Sequence, residues 1–210
     1  GGGSPNADSD NDGLTNSDET NIHKTDPNNP DTDGDGVSDG DEITEGTNPN
    51  KKEEYTQIWS KKINSPIFCS PAIGSDGKVY FGSSDGNIHA TNGATGDTVW
   101  VKQVGVSPIG LACGDNGFVY VVTTEQICAL SGITGAEIWK FSRSGMTAPA
   151  IGEDGSVYFG AKDKKVYSLN GSTGKVNWEV AFSDYPKNSP VIGVDGRIYF
   201  TVGQFVKVLN

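Results

Sequence analysis

The sequence has little of what a membrane protein, a disulfide-rich protein or a histidine-based enzyme requires. It has no apolar run of membrane length, and its three cysteines are too few for a secreted disulfide framework. Cys113 and Cys128 fall on the first and third strands of one predicted sheet, so we expect no bond between them, whereas a bond between Cys69 and Cys113 stays open. His23 and His89 stand alone, and neither is predicted to act as a catalyst or metal ligand.

Basic side chains are scarce in one part of the chain only. Residues 1–55 hold 15 acidic and 3 basic side chains, whereas the remaining residues hold 12 acidic and 13 basic ones. This split predicts a separate acidic module before a nearly neutral domain. The acidic charge also argues against nucleic acid as a partner, because phosphates would be repelled.

The neutral part is built from a repeated phrase that ends in tryptophan. It spans residues 92–100, 131–139 and 170–178, so that Trp100, Trp139 and Trp178 are 39 residues apart. A fixed period of this size is typical of repeat proteins, in which one unit cannot bury its apolar face alone and stacks on copies of itself.

Each period contains short apolar runs that are separated by glycine turns. In the first period, Asp76-Gly77 and Asp85-Gly86 are suited to tight hairpins, and the runs between them are rich in β-branched and aromatic residues. The predicted strands are 66–73, 78–82, 87–91 and 98–100. Four strands in one period indicate a propeller blade, and the chain has room for four blades. The predicted fold class is therefore mainly β, a small four-bladed propeller that follows a short acidic loop module with short helices.

The last blade is incomplete at the end of the sequence. Segments 189–193, 197–201 and 205–209 supply three strands, and residues 55–59 (Tyr-Thr-Gln-Ile-Trp) look like the end of a missing outer strand. We predict that a strand over residues 55–61 completes the last blade, which removes two exposed edges. Closure within the chain is favoured because the link from Trp59 to Pro66 is short, and donation by a neighbouring subunit stays open. The predicted domains are an N-terminal arm (1–7), an acidic module (8–54) and the propeller (55–210).

The repeated phrase resembles the β-propeller repeat of pyrroloquinoline-quinone (PQQ) dehydrogenases and their non-enzymatic relatives. The resemblance covers roughly residues 55–210. It implies that the Thr-Gly turn and the tryptophan of each phrase dock neighbouring blades on each other, at Thr95, Gly96, Trp100, Thr134, Gly135, Trp139, Thr173, Gly174 and Trp178. The quinone enzymes have about eight blades and a pair of adjacent cysteines, neither of which this chain offers. We therefore predict the non-enzymatic branch, with no catalytic and no cofactor-binding residue.

The acidic module contains two calcium-type loops in register, over residues 8–19 and 31–42. Each has aspartates at loop positions 1, 3 and 5, glycine at position 6 and glutamate at position 12. A hard cation of calcium's size requires oxygen ligands at this spacing, including a carbonyl from position 7 and a side chain from position 9. We predict two or more Ca²⁺ ions, held by Asp8, Asp10, Asp12, Leu14, Asn16 and Glu19 and by Asp31, Asp33, Asp35, Val37, Asp39 and Glu42. The alternative is a disordered acidic linker.

The phrase over residues 25–36, Thr-Asp-Pro-Asn-Asn-Pro-Asp-Thr-Asp-Gly-Asp-Gly, is similar to thrombospondin type 3 repeats of secreted bacterial proteins. In that family, residues just before the loop can reach a metal, which makes Asp26 and Asn28 further candidate ligands. The duplicated loops also resemble a dockerin, although the segments after them, 14–22 and 37–43, are short for the apolar helices of that module.

Two classes of function fit this organisation. The favoured one is a secreted calcium-binding structural or interaction protein that assembles into a homo-oligomer, an extracellular filament or a surface matrix through the propeller and the N-terminal arm. Other surface proteins are further candidate partners, whereas nucleic acid and a membrane span are not expected. The alternatives are half of a quinone-dependent propeller that pairs with a second chain, and a dockerin-like module that attaches to a scaffold.

Overall fold

The computed structural model describes residues 6–52 and 57–210 of the chain. The chain divides into two compact units, with the boundary between Ser60 and Lys61. This boundary lies a few residues after the predicted one, which followed residue 54. Most of the predicted N-terminal arm (residues 1–5), the end of the predicted acidic module (53 and 54) and the start of the predicted closing strand (55 and 56) lie outside the described residues.

The first unit consists of two loops, each followed by a short helical segment. Helix α1 (Asn16–Asp18) runs into a π-helical turn (Glu19–His23), and helix α2 is Asp39–Glu45. Thr15 and Ser38 cap the two helices, because their hydroxyl groups accept hydrogen bonds from N–H groups of the first turn. The helical segments end at left-handed residues, Lys24 and Gly46. The predicted short helices are thus confirmed.

The second unit is a series of antiparallel sheets, as the 39-residue period predicts. Sheet 1 has the order β1-β2-β3-β4, sheet 2 is β5-β6-β7-β8, sheet 3 is β9-β10-β11-β12, and sheet 4 is β13-β14-β15. The strands are β1 (Ala72–Ile73), β2 (Lys78–Gly82), β3 (Asn87–Asn92), β4 (Thr98–Gln103), β5 (Pro108–Cys113), β6 (Phe118–Thr123), β7 (Gln126–Ser131), β8 (Glu137–Ser142), β9 (Ala150–Ile151), β10 (Ser156–Gly160), β11 (Lys165–Asn170), β12 (Val176–Ala181), β13 (Val191–Ile192), β14 (Ile198–Val202) and β15 (Phe205–Leu209).

Three buried cores join consecutive sheets. Tyr80, Ile88 and Ala90 of sheet 1 pack on Val119 and Val121 of sheet 2. The second core joins sheets 2 and 3, and the third joins sheets 3 and 4. The innermost strands β1, β5, β9 and β13 also contact one another in this order. The second unit is therefore a stack of four small sheets, each held by its neighbours, as expected for propeller blades.

Two of the three tryptophans of the repeated phrase form a hydrogen bond to the next sheet. The indole N–H of Trp100 donates to the carbonyl oxygen of Gly132 at 2.9 Å, and that of Trp139 donates to the carbonyl oxygen of Gly171 at 2.7 Å. The Thr-Gly turn of the next sheet covers the ring, because a Cβ on Gly135 would lie 2.9 Å from Trp100. The docking role that the family resemblance implied is confirmed for Trp100, Trp139, Gly135 and Gly174. For Thr95, Gly96, Thr134, Thr173 and Trp178 it stays a prediction.

Sheet 4 differs from the other three in having three strands. Residues 57–61 form no strand in the part of the chain that the structure describes, so the predicted closing strand does not pair with β15 there. Lys61 instead donates hydrogen bonds from Nζ to the carbonyl oxygen of Gly96 and to Oγ1 of Thr98, at the outer turn of sheet 1. All three cysteines are free, and the bond between Cys69 and Cys113 that the sequence left open is not formed.

Candidate metal centre

The first aspartate of each loop shapes the loop backbone. The carboxylate of Asp8 accepts hydrogen bonds from the N–H groups of Asn11 and Gly13 at 2.7 and 3.2 Å. In the second loop, the carboxylate of Asp31 accepts from Gly34 and Gly36 at 2.8 and 3.0 Å. The two loops thus fold alike around loop position 1, and this folding turns the following carboxylates toward a common centre.

The glutamates at position 12 are buried and only partly satisfied. Glu19 is 0% and Glu42 is 1% exposed. One oxygen of each accepts a hydrogen bond from a threonine hydroxyl, Thr25 at 3.4 Å and Thr47 at 3.2 Å. The other oxygen, Oε2, has no partner in either residue. A buried carboxylate oxygen without a donor is costly, and a metal ion in the loop would remove that cost.

Further buried oxygens without partners belong to the same loops. They are both carboxylate oxygens of Asp10, Oδ2 of Asp12 and Oδ2 of Asp33. Among the described residues, these atoms and the two glutamate Oε2 atoms are the buried side-chain oxygens and nitrogens that lack a hydrogen bond. All of them lie at predicted ligand positions. These carboxylate oxygens therefore fit a hard cation that prefers oxygen ligands, such as Ca²⁺.

The distances between ligand atoms agree with this assignment. Three groups of acidic residues each place one oxygen per residue within 4.8 Å of the others. They are Asp8 with Asp10 and Asp12, Asp31 with Asp33 and Asp35, and Asp12 with Glu19 and Asp39. The first two groups are the predicted positions 1, 3 and 5 of the two loops.

The third group links the two loops, which the sequence pattern did not predict. Asp39 was assigned to the second loop only, yet one of its oxygens lies near Asp12 and Glu19 of the first loop. Asp39 is fully buried, and its carboxylate accepts hydrogen bonds from the backbone N–H and the hydroxyl group of Thr32 at 2.9 and 2.6 Å. The start of α2 thus carries a carboxylate that faces both loops.

The remaining predicted ligands have other partners in the structure. Asn16 at position 9 accepts a hydrogen bond from the N–H of Ser9 at 2.9 Å and donates to its hydroxyl at 2.8 Å, so it closes the first loop as Asp39 closes the second. Leu14 and Val37 donate their N–H groups to Asp12 and Asp35, and their carbonyl ligation stays a prediction. Asp26 and Asn28 are exposed, hydrogen bond to each other and lie outside the three acidic groups of the described residues.

The electrostatics of the loops favour cation binding. Burial and then the neighbouring carboxylates of Asp10 and Asp12 raise the pKa of Glu19 to about 7. Burial and then Asp33 raise the pKa of Glu42. The pKa values of Asp10 and Asp33 are also raised, first by burial and then by the next aspartate of the loop. A divalent cation would relieve this repulsion and stabilise the ionised forms.

The threonines that bond the glutamates were missed at the sequence level. Thr25 and Thr47 follow Glu19 and Glu42 by six and five residues, and each also donates its backbone N–H to the carbonyl oxygen of its glutamate. The signal was the recurrence of threonine at nearly the same distance after both loops. It is weak by itself, because threonine is common in turns.

Comparison with known proteins gives an assignment to each unit. Residues 8–30 and 31–52 match the family described as bacterial TSP3 repeat, a calcium-binding type of thrombospondin repeat that is typical of extracellular proteins. Residues 105–199 match the family described as outer membrane protein assembly factor BamB, a PQQ-like repeat. Among the helices that the structure describes, none has the length and apolar composition of a membrane-spanning segment.

The structure is similar to solved propellers, and the sequence is similar to a part of one kinase. The chain resembles BamB from Moraxella catarrhalis with a TM-score of 0.60 and 23% identity, over 69% of this chain and 49% of that one. It resembles the computationally designed Ika4 protein with a TM-score of 0.63 and 20% identity, over 74% of this chain and 98% of that one. The serine/threonine-protein kinase AfsK of Streptomyces griseus is 26% identical over 141 residues, which are 61% of this chain and 17% of the kinase.

The family matches and the similar structures agree with the acidic loops of the first unit and the antiparallel sheets of the second. The chain spans about half of BamB and a small part of the kinase, so their activities are not transferred to it. Residues 8–52 thus match two bacterial thrombospondin type 3 repeats, and residues 105–199 of the mainly β second unit match a PQQ-like repeat, with a propeller-like fold.

Proposed function

We propose that this protein is a secreted, calcium-binding structural or interaction protein without enzymatic activity. In this proposal, calcium orders the first unit and the propeller repeats provide the surface through which copies assemble into an extracellular filament or matrix. One observation carries the calcium assignment: each of two homologous loops ends in a buried glutamate, Glu19 or Glu42, with a carboxylate oxygen that has no hydrogen bond. The match to bacterial TSP3 repeats supports it.

Each loop would hold an ion through residues that the fold already brings together. Positions 1, 3 and 5 supply aspartate oxygens that lie close together, and the buried glutamate at position 12 would close the site. Asp39 adds a carboxylate near the first loop. The ion would neutralise part of a unit that is otherwise strongly anionic, so binding and folding of the first unit are expected to be coupled.

Calorimetric titration with Ca²⁺ tests the metal assignment. We expect at least two ions per chain, loss of one site in Glu19→Gln and loss of the other in Glu42→Gln. Asp41→Asn is the matched control, because Asp41 is an exposed acid next to Glu42 and belongs to none of the acidic groups. Absence of calcium binding in the unaltered protein would overturn the proposal.

Limited proteolysis tests whether calcium orders the first unit alone. A chelator is expected to increase cleavage between residues 8 and 52 and to leave residues 61–210 intact, because the cores of the second unit contain no predicted metal ligand. Equal resistance with and without the chelator would contradict metal-dependent order.

The assembly part of the proposal is supported by apolar side chains that the second unit leaves in solvent. Phe68, Ile73, Val194, Phe205 and Val206 are each at least 65% exposed. Exposed apolar side chains commonly mark protein interaction sites where they form a contiguous patch. Electron microscopy of the calcium-loaded protein should show fibres or sheets, whereas single particles at all concentrations would contradict assembly.

The absence of enzymatic activity is also part of the proposal. Its alternative, a half-propeller that forms a quinone site with a second chain, is tested by adding calcium and the quinone and following the reduction of a dye. We expect no quinone-dependent reduction. Activity that depends on the quinone would overturn the non-enzymatic assignment and leave the calcium assignment intact.

A further inference from the structure

Each sheet of the second unit packs on the next one through the same positions of its third strand. The first of these positions is occupied by Ile88 in sheet 1, Ile127 in sheet 2 and Val166 in sheet 3. All three residues are 0% exposed. Each belongs to the core that its sheet shares with the following sheet. The third strand therefore carries the contact face of every sheet that has a successor.

In sheet 4 the same face is open. The alignment of β11 with β15 places Val206 and Val208 at the positions of Val166 and Ser168. Val206 is 69% and Val208 is 49% exposed, whereas Val166 and Ser168 are buried. We call Val206 and Val208 the trailing face.

Sheet 1 has the complementary opening. Cys113, Ile151 and Ile192 end the first strands of sheets 2, 3 and 4, and each packs against the core that its sheet shares with the preceding sheet. Ile73 occupies this position in sheet 1, pairs with Val79 in the ladder, and is 73% exposed. We call Ile73 and Val79 the leading face.

The two open faces are not paired with each other within the chain. The three buried cores of the described residues join sheets 1 to 2, 2 to 3 and 3 to 4, and none of them joins sheet 4 to sheet 1. The exposure of Ile73 and Val206 leads to the same conclusion. Each face carries apolar residues at the positions that form one side of the contact between consecutive sheets. The chain forms this contact three times internally.

We propose that the trailing face of one copy packs on the leading face of a second copy, so that the stack of sheets continues from chain to chain. The occupant is a second copy because, among the described residues, the leading face repeats the positions of Ile192 and Ile198, which pack in one core with Val166, and Ile73 on this face is exposed. Such a contact is heterologous: it closes into a ring or propagates as a filament.

The same arrangement supplies an outer strand for sheet 4. In sheets 2 and 3, the outer turn is contacted by the tryptophan of the preceding outer strand, as Gly135 is by Trp100. In sheet 1, Lys61 reaches the equivalent turn at Gly96. Residues 57–61 of the second copy would therefore run along β15 of the first copy, where Ile58, which is 81% exposed, would become buried.

This inference rests on the proposed assembly, and charge variants on the two faces test it in calcium buffer. We expect the unaltered protein to associate with increasing concentration in sedimentation velocity. Ile73→Asp or Val206→Asp should weaken association by roughly a hundredfold, because each would bury an unpaired carboxylate. Both residues are exposed, so the variants should keep the thermal unfolding of the parent. Ile138→Asp is the matched control, because Ile138 is 45% exposed on β8 of sheet 2, which packs on a neighbouring sheet at both sides.

Mixing the two variants gives the sharpest result. A 1:1 mixture of Ile73→Asp and Val206→Asp should form dimers and nothing larger, because each variant keeps one intact face and the two intact faces are complementary. A mixture that stays monomeric would overturn the face pairing. Equal association of both variants and the parent would also overturn it, while leaving the proposed assembly in place.

The remaining outcomes separate the inference from the proposed function. Association of the parent that stops at two copies supports the face pairing in a closed ring and contradicts the filament. A parent that stays monomeric at all concentrations overturns both the face pairing and the proposed assembly. The calcium titration is unaffected by either result, so the metal assignment is judged separately.

Discussion

The α-carbon of Gly40 packs directly on the backbone of Asp12. A Cβ on Gly40 would lie 2.1 Å from the carbonyl oxygen of Asp12, which is far shorter than any real contact of this kind. Gly40 is the second residue of α2, and Asp12 is the fifth residue of the first loop. The helix of the second repeat therefore forms one wall of the first loop, next to the buried carboxylate of Asp39.

This contact predicts that Gly40→Ala weakens calcium binding in the first loop although Gly40 is not a ligand. The added methyl group must displace backbone, and overpacking of this kind typically costs about 1–3 kcal/mol. The loss corresponds to a decrease in affinity of roughly fivefold to a hundredfold. Calorimetry on Gly40→Ala measures it, with the exposed residue of the same helix, Glu45→Ala, as control. An unchanged first site would show that the two loops bind independently.

The raised pKa of Glu19 predicts opposite effects of pH on the metal-free and calcium-bound forms. Without metal, Glu19 of the folded unit keeps its proton up to about pH 7, whereas Glu19 of an unfolded chain loses its proton near pH 4.5. Between these values the folded form holds more protons, so its stability decreases as the pH rises. With calcium, the proton competes with the ion, so affinity should increase over the same range.

Circular dichroism and calcium titration between pH 4.5 and 8 measure the two effects. Glu19→Gln is the control, because it removes the titrating group while keeping the volume of the side chain. In that variant, the part of the pH dependence that belongs to Glu19 should disappear. A metal-free unit that becomes more ordered as the pH rises from 4.5 to 7 would contradict the raised pKa.

Much of the molecule follows from local sequence signals. The 39-residue period predicted the four sheets because it places turns and apolar runs at fixed spacing, and the loop spacing predicted the clusters around Asp10 and Asp33. Both signals are local: the residues that form a hairpin or a calcium loop lie within a dozen positions of one another.

What the sequence did not predict depends on contacts between repeats. The position of Asp39 beside Asp12 and the close approach of Gly40 require knowledge of how the second helix meets the first loop, which no spacing rule contains. The position of Lys61 was missed for the same reason. Residues 55–59 match an outer strand by sequence, but whether such a strand finds its sheet in the same chain depends on how consecutive sheets turn relative to one another.

The indole hydrogen bonds predict unequal costs for the same substitution at two tryptophans. Trp139→Phe removes the bond to the carbonyl oxygen of Gly171, which is left without that donor. Trp178→Phe is the matched control, because the indole N–H of Trp178 has no acceptor among the described residues, although the ring packs on Tyr158 as Trp139 packs on Tyr120. Chemical denaturation should show that Trp139→Phe costs about 1 kcal/mol more than Trp178→Phe. Equal losses would mean that the bond adds nothing beyond ring packing.

The turn that covers Trp139 predicts a steric effect that can be separated from backbone strain. Gly174 has φ of +68°, and a Cβ there would lie 2.5 Å from Cδ2 of the indole. Gly155 has a similar φ of +76° with nothing near its Cβ position. Gly155→Ala should therefore cost about 1 kcal/mol from the left-handed backbone alone, and Gly174→Ala should cost about 1–3 kcal/mol more because the methyl group must push the ring out of its core. Thermal unfolding of the two variants measures the difference, and equal destabilisation would show that the turn closes on the tryptophan more loosely than the structure indicates.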